Sequence, residues 1–258
     1  MILAHSSLDS MKVKVPNQFL TVVTGVLIWE LAALVVDSKS FPHLLPVLID
    51  LVELLKTFEF WKSLVLTLYL TIIGFLIGAA FAFLIGLATA LNKRINLLFS
   101  SSIYFLRSVP SVVFLPLLVA SIGSSSRTAV ILTALVVSLK LVIFVTRGVL
   151  ETEKEHLEFA KLYHLSTFSR ITNIYLPSLV SVVSTGFRLS ASRAFGTVIA
   201  AGIIIGTPGL GRELLFAESN AEYERVFSYV IILGMSGTLI YSFFNFIESK
   251  FIHWRVNV

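Results

Sequence analysis

The chain has 258 residues, of which 56% are hydrophobic and only 14% are charged, and its mean hydropathy is +0.91. A soluble domain of this size carries roughly a quarter charged residues, so the composition indicates a polytopic membrane protein. The absence of cysteine excludes disulfides, thiol catalysis, iron–sulfur clusters and thiolate zinc sites. The net charge of +5 fits basic cytoplasmic loops and does not indicate binding to nucleic acid.

Six apolar segments are predicted to cross the membrane, because each approaches or exceeds the length that about 30 Å of hydrocarbon requires. They are 19–36, 63–91, 97–120, 128–146, 178–206 and 226–249. The first is interpreted as a retained span, since it is long and no small-residue cleavage site follows it. We therefore expect a cytoplasmic N-terminal segment over 1–18 and a single transmembrane domain over 19–258.

The distribution of basic residues predicts the orientation, because short cytoplasmic loops are rich in Lys and Arg. With six spans, one side of the membrane receives Lys12, Lys14, Lys93, Arg94, Arg147, Lys154, Lys161, Arg170, Lys250 and Arg255. Both termini and the polar stretch 147–177 are therefore expected to be cytoplasmic. Residues 171–211 form either one helix of about 60 Å or two spans with a turn at 188–193. We favour one helix that begins in the cytoplasm and loses regularity near Gly202–Gly211.

The most distinctive segment is Glu158–Pro177, where charged and apolar residues alternate inside a hydrophobic chain. Thr152 and Glu155 have the spacing of a capping box, which predicts that a helix starts there. His164 is expected to end that helix at a turn with positive φ.

A second short helix is predicted after this turn, capped by Ser166 and ended by Pro177. The segment 150–177 is thus predicted to be a helical hairpin on the cytoplasmic face. Either a soluble partner docks there, or the hairpin is only a solvated loop.

The spacing within this segment resembles the EAA motif of ATP-binding-cassette importer permeases: E-A-A, three residues, G, nine residues, I-x-L-P. The corresponding residues are Glu158, Phe159, Ala160, His164, Ile174, Leu176 and Pro177. Phe159 replaces the middle Ala of the motif and His164 replaces its Gly. The resemblance implies that the hairpin is a coupling helix that sits in a groove of an ATPase subunit.

The resemblance covers about residues 20–255. Over this range the chain is similar to the permeases that import nitrate, taurine, alkanesulfonates, bicarbonate and thiamine precursors. The matching pieces are Trp29-Glu30, Gly74-Phe75 with Gly78 and Gly86, Arg107-Ser-Val-Pro110 with Pro116, Gly123, Gly186-Phe-Arg188 and Gly209-Leu-Gly211. It implies an all-α, six-transmembrane-helix type I importer permease bundle in the bacterial cytoplasmic (inner) membrane. The implied partners are a second copy of the chain, two ATPase subunits that hold ATP and Mg, and a periplasmic or lipid-tethered substrate-binding protein.

Residues of a substrate pathway are expected among the few charged or helix-breaking residues inside the spans. The candidates are Lys140, Arg188, Arg193, Pro110 and Gly202. The family often carries Glu where this chain has Gly202, so the resemblance implies different cargo or a different way of binding it. Lys140 is alternatively a snorkelling residue and Arg188 an anchor near the cytoplasmic gate. Because Arg188 and Arg193 are about 140° apart on a helix, one can face the pathway and the other a neighbouring helix.

Other residues of the spans predict structure rather than chemistry. Pro110 and Pro116 are expected to kink the third span, as a structural bend or as a hinge. Gly74, Gly78 and Gly86 suggest close helix packing.

The interior charge is positive, which suits a small anion such as nitrate, a sulfonate, taurine or bicarbonate. No P-loop, metal-ligand cluster or nucleophile elbow occurs in the sequence, so we predict a non-catalytic subunit with ATP hydrolysis on a separate chain. The alternative is a secondary transporter or channel that needs no ATPase. It would be expected to show embedded acids or repeats, and away from the ends of the spans the sequence offers Glu30 alone.

Overall fold

A computed structural model describes residues 18–251, and within that range the chain is helical with no strand. The helices are α1 (Gln18–Val36), α2 (Leu44–Lys56), α3 (Phe58–Leu91), α4 (Lys93–Ser108), α5 (Phe114–Ile122), α6 (Ser126–Leu150), α7 (Lys154–Leu162), α8 (Thr167–Arg170), α9 (Leu176–Ile205), α10 (Leu210–Ser219) and α11 (Tyr223–Phe251). A 3-10 turn, Ser111–Val113, precedes α5, and a π-helical turn, Ile171–Tyr175, joins α8 to α9. The predicted segment 1–18, except Gln18, lies outside the described residues.

The predicted membrane architecture is confirmed as all-helical, but the spans are less uniform than expected. Among the described residues, four helices are long and apolar enough to cross a membrane: Phe58–Leu91, Ser126–Leu150, Thr167–Ile205 and Tyr223–Lys250. α4 and the segment that follows it form a fifth unit only as a bent pair. The apolar helix Leu20–Val36 is shorter than these. Six spans are therefore reached only when the bent pair and α1 are both counted.

The prediction that the third span, 97–120, is a single kinked helix is wrong. The chain bends by 95° between Lys93–Ser108 and the helical segment that follows. Val109 is extended, with φ −75° and ψ 128°, which is the conformation that a following proline favours. Pro110 therefore breaks the span. Pro116 does not, because it lies in the first turn of α5, where its missing N–H has no helical partner to lose.

The predicted single helix over 171–211 is confirmed over most of its length. Thr167–Ile205 is one continuous helix of 39 residues, and it ends where Gly206 adopts φ 67°. The prediction that Pro177 ends a short helix is wrong, because the chain passes through it into α9. The π-turn Ile171–Tyr175 shifts the backbone hydrogen bonds just before this proline, which lets the helix continue.

Glycines on α3 allow it to lie directly against α6, as predicted from their spacing. A Cβ added to Gly74 or Gly86 would lie 2.7 Å from a side-chain carbon of α6, and one added to Gly78 would lie 2.5 Å from the carbonyl oxygen of Ala134. The contacts advance in the same direction along both helices, so α3 and α6 are parallel. α9 packs antiparallel to α6, since Gly148 contacts Leu179 near the start of α9.

The two ends of the bundle are organised differently. One end, here called the hairpin end, contains the C-terminal ends of α3 and α6, the pair α7–α8 and the start of α9. At the opposite end, the backbone N–H of Leu210 donates to the buried Thr67 hydroxyl at 2.9 Å, which attaches α10 to α3. Glu30 accepts from the N–H of Leu44 at 2.8 Å and lies 2.8 Å from His43 Nδ1, so it caps the start of α2.

Candidate coupling hairpin and basic cleft

The predicted helical hairpin is present, but its first helix begins differently from the prediction. α7 starts at Lys154 with Glu153 at the N-cap, and that side chain makes no capping hydrogen bond. The predicted capping box is wrong: Thr152 is buried and its hydroxyl donates back to the carbonyl of Gly148 at 3.4 Å. Glu155 lies in the first turn, where a carboxylate favours the positive end of the helix dipole.

The turn between α7 and α8 is a Schellman motif. The N–H of Leu165 donates to Ala160 at 3.0 Å, and the N–H of His164 donates to Lys161 at 3.1 Å. His164 has φ 47°, as predicted for the position that glycine usually takes. The guanidinium of Arg170 donates through Nε to the carbonyl of Leu165 at 3.0 Å, which closes the turn.

The second helix of the hairpin is capped as predicted. The Ser166 hydroxyl accepts from the N–H of Ser169 at 3.2 Å. These hydrogen bonds fix the angle between α7 and α8, so the hairpin has a defined shape.

Replacing His164 with Gly is expected to stabilise the turn, because a non-glycine residue in the left-handed region costs about 1 kcal/mol or more. Hydrogen exchange of the Leu165 amide should slow by about fivefold in the glycine variant. His164→Val should speed the same exchange, since a β-branched residue fits this conformation poorly. Equal exchange in all three proteins would contradict a turn limited by this backbone angle.

The outer face of the hairpin is apolar and exposed. Its four large residues, here called the hairpin patch, are 51% to 76% exposed: Phe159, Leu162, Tyr163 and Phe168. The Phe159 and Tyr163 rings lie 4.3 Å apart between centroids, so they form one continuous surface. Phe168 was not predicted, and its only sequence signal is an aromatic residue isolated among polar neighbours.

The seven motif residues separate into an exposed set and a supporting set. Ala160 and Ile174 are buried and pack the hairpin against the bundle. Glu158 and Phe159 are exposed. The remaining three are also exposed, Leu176 and Pro177 at the start of α9 and His164 at the turn.

The bend between α4 and α5 encloses a cleft against α6 and α9 with a volume of about 460 Å³. Four basic residues line it: Arg107, Lys140, Arg147 and Arg193. Lys140 and Arg193 were predicted as pathway residues, and the structure brings them together. Arg107 and Arg147 were not assigned to a pathway, because only the bend and the packing of α4 on α6 place them in the cleft.

Arg188 lies outside this cleft and faces α11. Its guanidinium lies 3.0 Å from Glu248 Oε2 and donates to the side chain of Asn245. It also lies over the ring of Tyr241, 5.1 Å from the centroid. Of the two arginines predicted to diverge on one helix, Arg193 therefore lines the cleft and Arg188 ties α9 to α11.

The other two predicted pathway residues differ in their relation to the cleft. Pro110 lies between Val109 and Ser111, which both line it. Gly202 is buried where α9 packs against α10, and an added Cβ would lie 2.9 Å from the Cα of Gly211. Gly202 is thus a packing position that leaves no room for the Glu expected in relatives.

Comparisons with known proteins agree with this architecture. The family model described as "Binding-protein-dependent transport system inner membrane component" matches residues 74–253, more than half of the chain. The putative aliphatic sulfonates transport permease protein SsuC of Bacillus subtilis (strain 168) is 26% identical over 221 residues, covering 86% of this chain and 80% of that protein. The nitrate import permease protein NrtB of Synechocystis sp. (strain PCC 6803) is 24% identical over 173 residues, covering 67% and 62%.

The fold is also found among solved structures. A chain of the MetNI methionine ABC transporter in an inward-facing conformation superposes with a TM-score of 0.66 at 15% identity, covering 74% of this chain and 95% of that chain. This likeness supports the type I importer permease fold. The chain belongs to the binding-protein-dependent transport system inner membrane component family and is the non-catalytic permease subunit of an ABC importer.

Proposed function

We propose that this permease moves a small anion across the bacterial inner membrane when a separate ATPase acts on the hairpin patch. The observation that carries the proposal is the helix Thr167–Ile205, which begins inside the hairpin and bears Arg193 in the cleft. About 35 Å of unbroken helix joins Arg170 to Arg193, so a displacement of the hairpin moves the cleft wall.

The proposed partners follow from the two ends of the bundle. The hairpin patch supports docking of an ATP-binding-cassette ATPase that holds ATP and Mg, one for each of two copies of this chain. An exposed aromatic group on a rigid hairpin is the kind of anchor that such docking requires. The opposite end is then available to a periplasmic or lipid-tethered substrate-binding protein, and both termini are cytoplasmic.

The proposed cargo is a small solute that carries an anionic oxygen group, such as nitrate, a sulfonate, taurine or bicarbonate. Four basic residues in the cleft favour negative charge, and Arg groups match the geometry of sulfonate, carboxylate or nitrate oxygens. Relatives named for sulfonate and nitrate transport support this class of cargo. In the proposed cycle, ATP binding closes the ATPase pair, the hairpins follow, and the bundles alternate between inward-open and outward-open states.

Affinity purification of the tagged permease from its native membrane tests this proposal. We expect the wild-type protein to retain an ATPase that contains a P-loop, and Glu158→Ala to retain less of it. Lys39→Ala, at the opposite end, is the matched control and should retain as much as wild type. If intact permease purifies without any ATPase, the secondary-transporter alternative is favoured and the importer mechanism fails.

A further inference from the structure

The four basic residues of the cleft differ from three arginines elsewhere in how their charge is balanced. Outside the cleft, three arginines lie beside carboxylates, at 3.0 Å for Arg188 and Glu248, 3.1 Å for Arg225 and Asp50, and 3.7 Å for Arg212 and Glu213. The four basic residues of the cleft have no such neighbour: among residues 18–251, no carboxylate pairs with them, and none lines the cleft.

This lack of balancing charge has a physical cost. Arg107 and Arg193 both repel Lys140, so the cleft gathers like charges beside apolar side chains such as Val136 and Phe144. Lys140 is half-buried and the three arginines are exposed, so solvent weakens this repulsion without removing it. Carboxylates lie beside Arg188, Arg212 and Arg225 but beside none of the cleft residues, so an anion that enters the cleft is attracted by all four cations.

We propose that the cleft is an equilibrium binding site, within the permease itself, for an oxyanion of at least two negative charges. This inference rests on the proposed function, in which the cleft lies on the path of the cargo, and it extends the proposed cargo from singly charged anions to doubly charged oxyanions. A singly charged anion balances one of four cations, whereas a sulfate-, phosphate- or phosphonate-like group balances more and offers several oxygens to the arginines. The permease then selects cargo by charge in addition to any selection by a binding protein.

The same oxyanion chemistry has two sources, a free solute and the phosphate of a lipid headgroup. The last turn of α4 bears Arg107, which lines the cleft and is exposed, so lipid phosphate can approach this residue. Its polar interior and volume of about 460 Å³ equally admit a free anion. The experiment therefore separates solute from lipid.

Calorimetric titration of the purified permease–ATPase complex in phosphatidylcholine nanodiscs tests the site with sulfate as the probe. We expect saturable sulfate binding, with chloride at equal ionic strength binding at least about tenfold more weakly. Lys140→Gln should weaken sulfate binding by about tenfold or more, and Arg193→Gln provides a second variant should the first fail to fold. Arg127→Gln removes the same charge from the outer start of α6, away from the cleft, and should bind sulfate like wild type.

The lipid source is tested by adding phosphatidic acid to the nanodiscs. Loss of sulfate binding upon this addition, in wild type and Arg127→Gln alike, would show that headgroup phosphate occupies the same site. Two results would overturn the proposal: no saturable binding of sulfate in phosphatidylcholine, or equal binding by wild type and both cleft variants. A complex that retains its ATPase but binds no sulfate overturns only this inference and leaves the proposed function standing.

Discussion

Replacing Phe159 with Ala is expected to weaken binding of the ATPase by roughly 30-fold, which corresponds to about 2 kcal/mol. Phe159 is 51% exposed and lies against Tyr163 in the hairpin patch, so a partner that covers the patch buries both rings. Large aromatic side chains at the centre of an interface contribute most of its binding energy. Binding of the purified ATPase to immobilised permease measures the effect.

A matched control separates this loss from a general effect of removing an aromatic ring. Phe58 is 76% exposed at the first residue of α3, at the opposite end of the bundle. Phe58→Ala should therefore leave ATPase binding unchanged. If both variants bind as well as wild type, the hairpin patch is not the docking surface, even if the ATPase still copurifies.

The hairpin was predictable because its determinants are local in sequence. The turn at His164 and the cap at Ser166 depend on residues within five positions of each other, and their spacing is visible in the sequence. Even so, two features of the hairpin were not visible in the sequence. Thr152 bonds to the preceding helix instead of capping the next one, and a π-turn carries the chain past Pro177.

The cleft was only half predictable, because its wall depends on contacts between distant segments. Lys140 and Arg193 attract notice as charges inside spans, but nothing local shows that Arg107 shares their cleft. Likewise, the partner of Arg188 is Glu248, 60 residues further along the chain. The helical wheel shows that Arg188 and Arg193 point in different directions, but it does not show which of them has a carboxylate partner.

The second large effect is expected at Gly202. The family resemblance implied a change in cargo handling there, whereas the structure shows a packing contact. An added Cβ would lie 2.9 Å from the Cα of Gly211 and 3.0 Å from the backbone nitrogen of Arg212. Both atoms belong to the backbone of α10, so relief requires the whole helix to move. Gly202→Ala is therefore expected to destabilise the protein by about 2–3 kcal/mol through overpacking.

Gly196 offers the matched control for this substitution, since it lies on the same helix and an added Cβ meets nothing within 4 Å. Gly196→Ala should be neutral or stabilising by up to about 1 kcal/mol, because alanine favours the helix more than glycine does. The midpoint of thermal unfolding of the detergent-solubilised protein should fall for Gly202→Ala and hold or rise for Gly196→Ala. If Gly202→Ala keeps the wild-type midpoint and changes only which anion is imported, Gly202 determines specificity, and close packing of α9 on α10 does not explain the glycine.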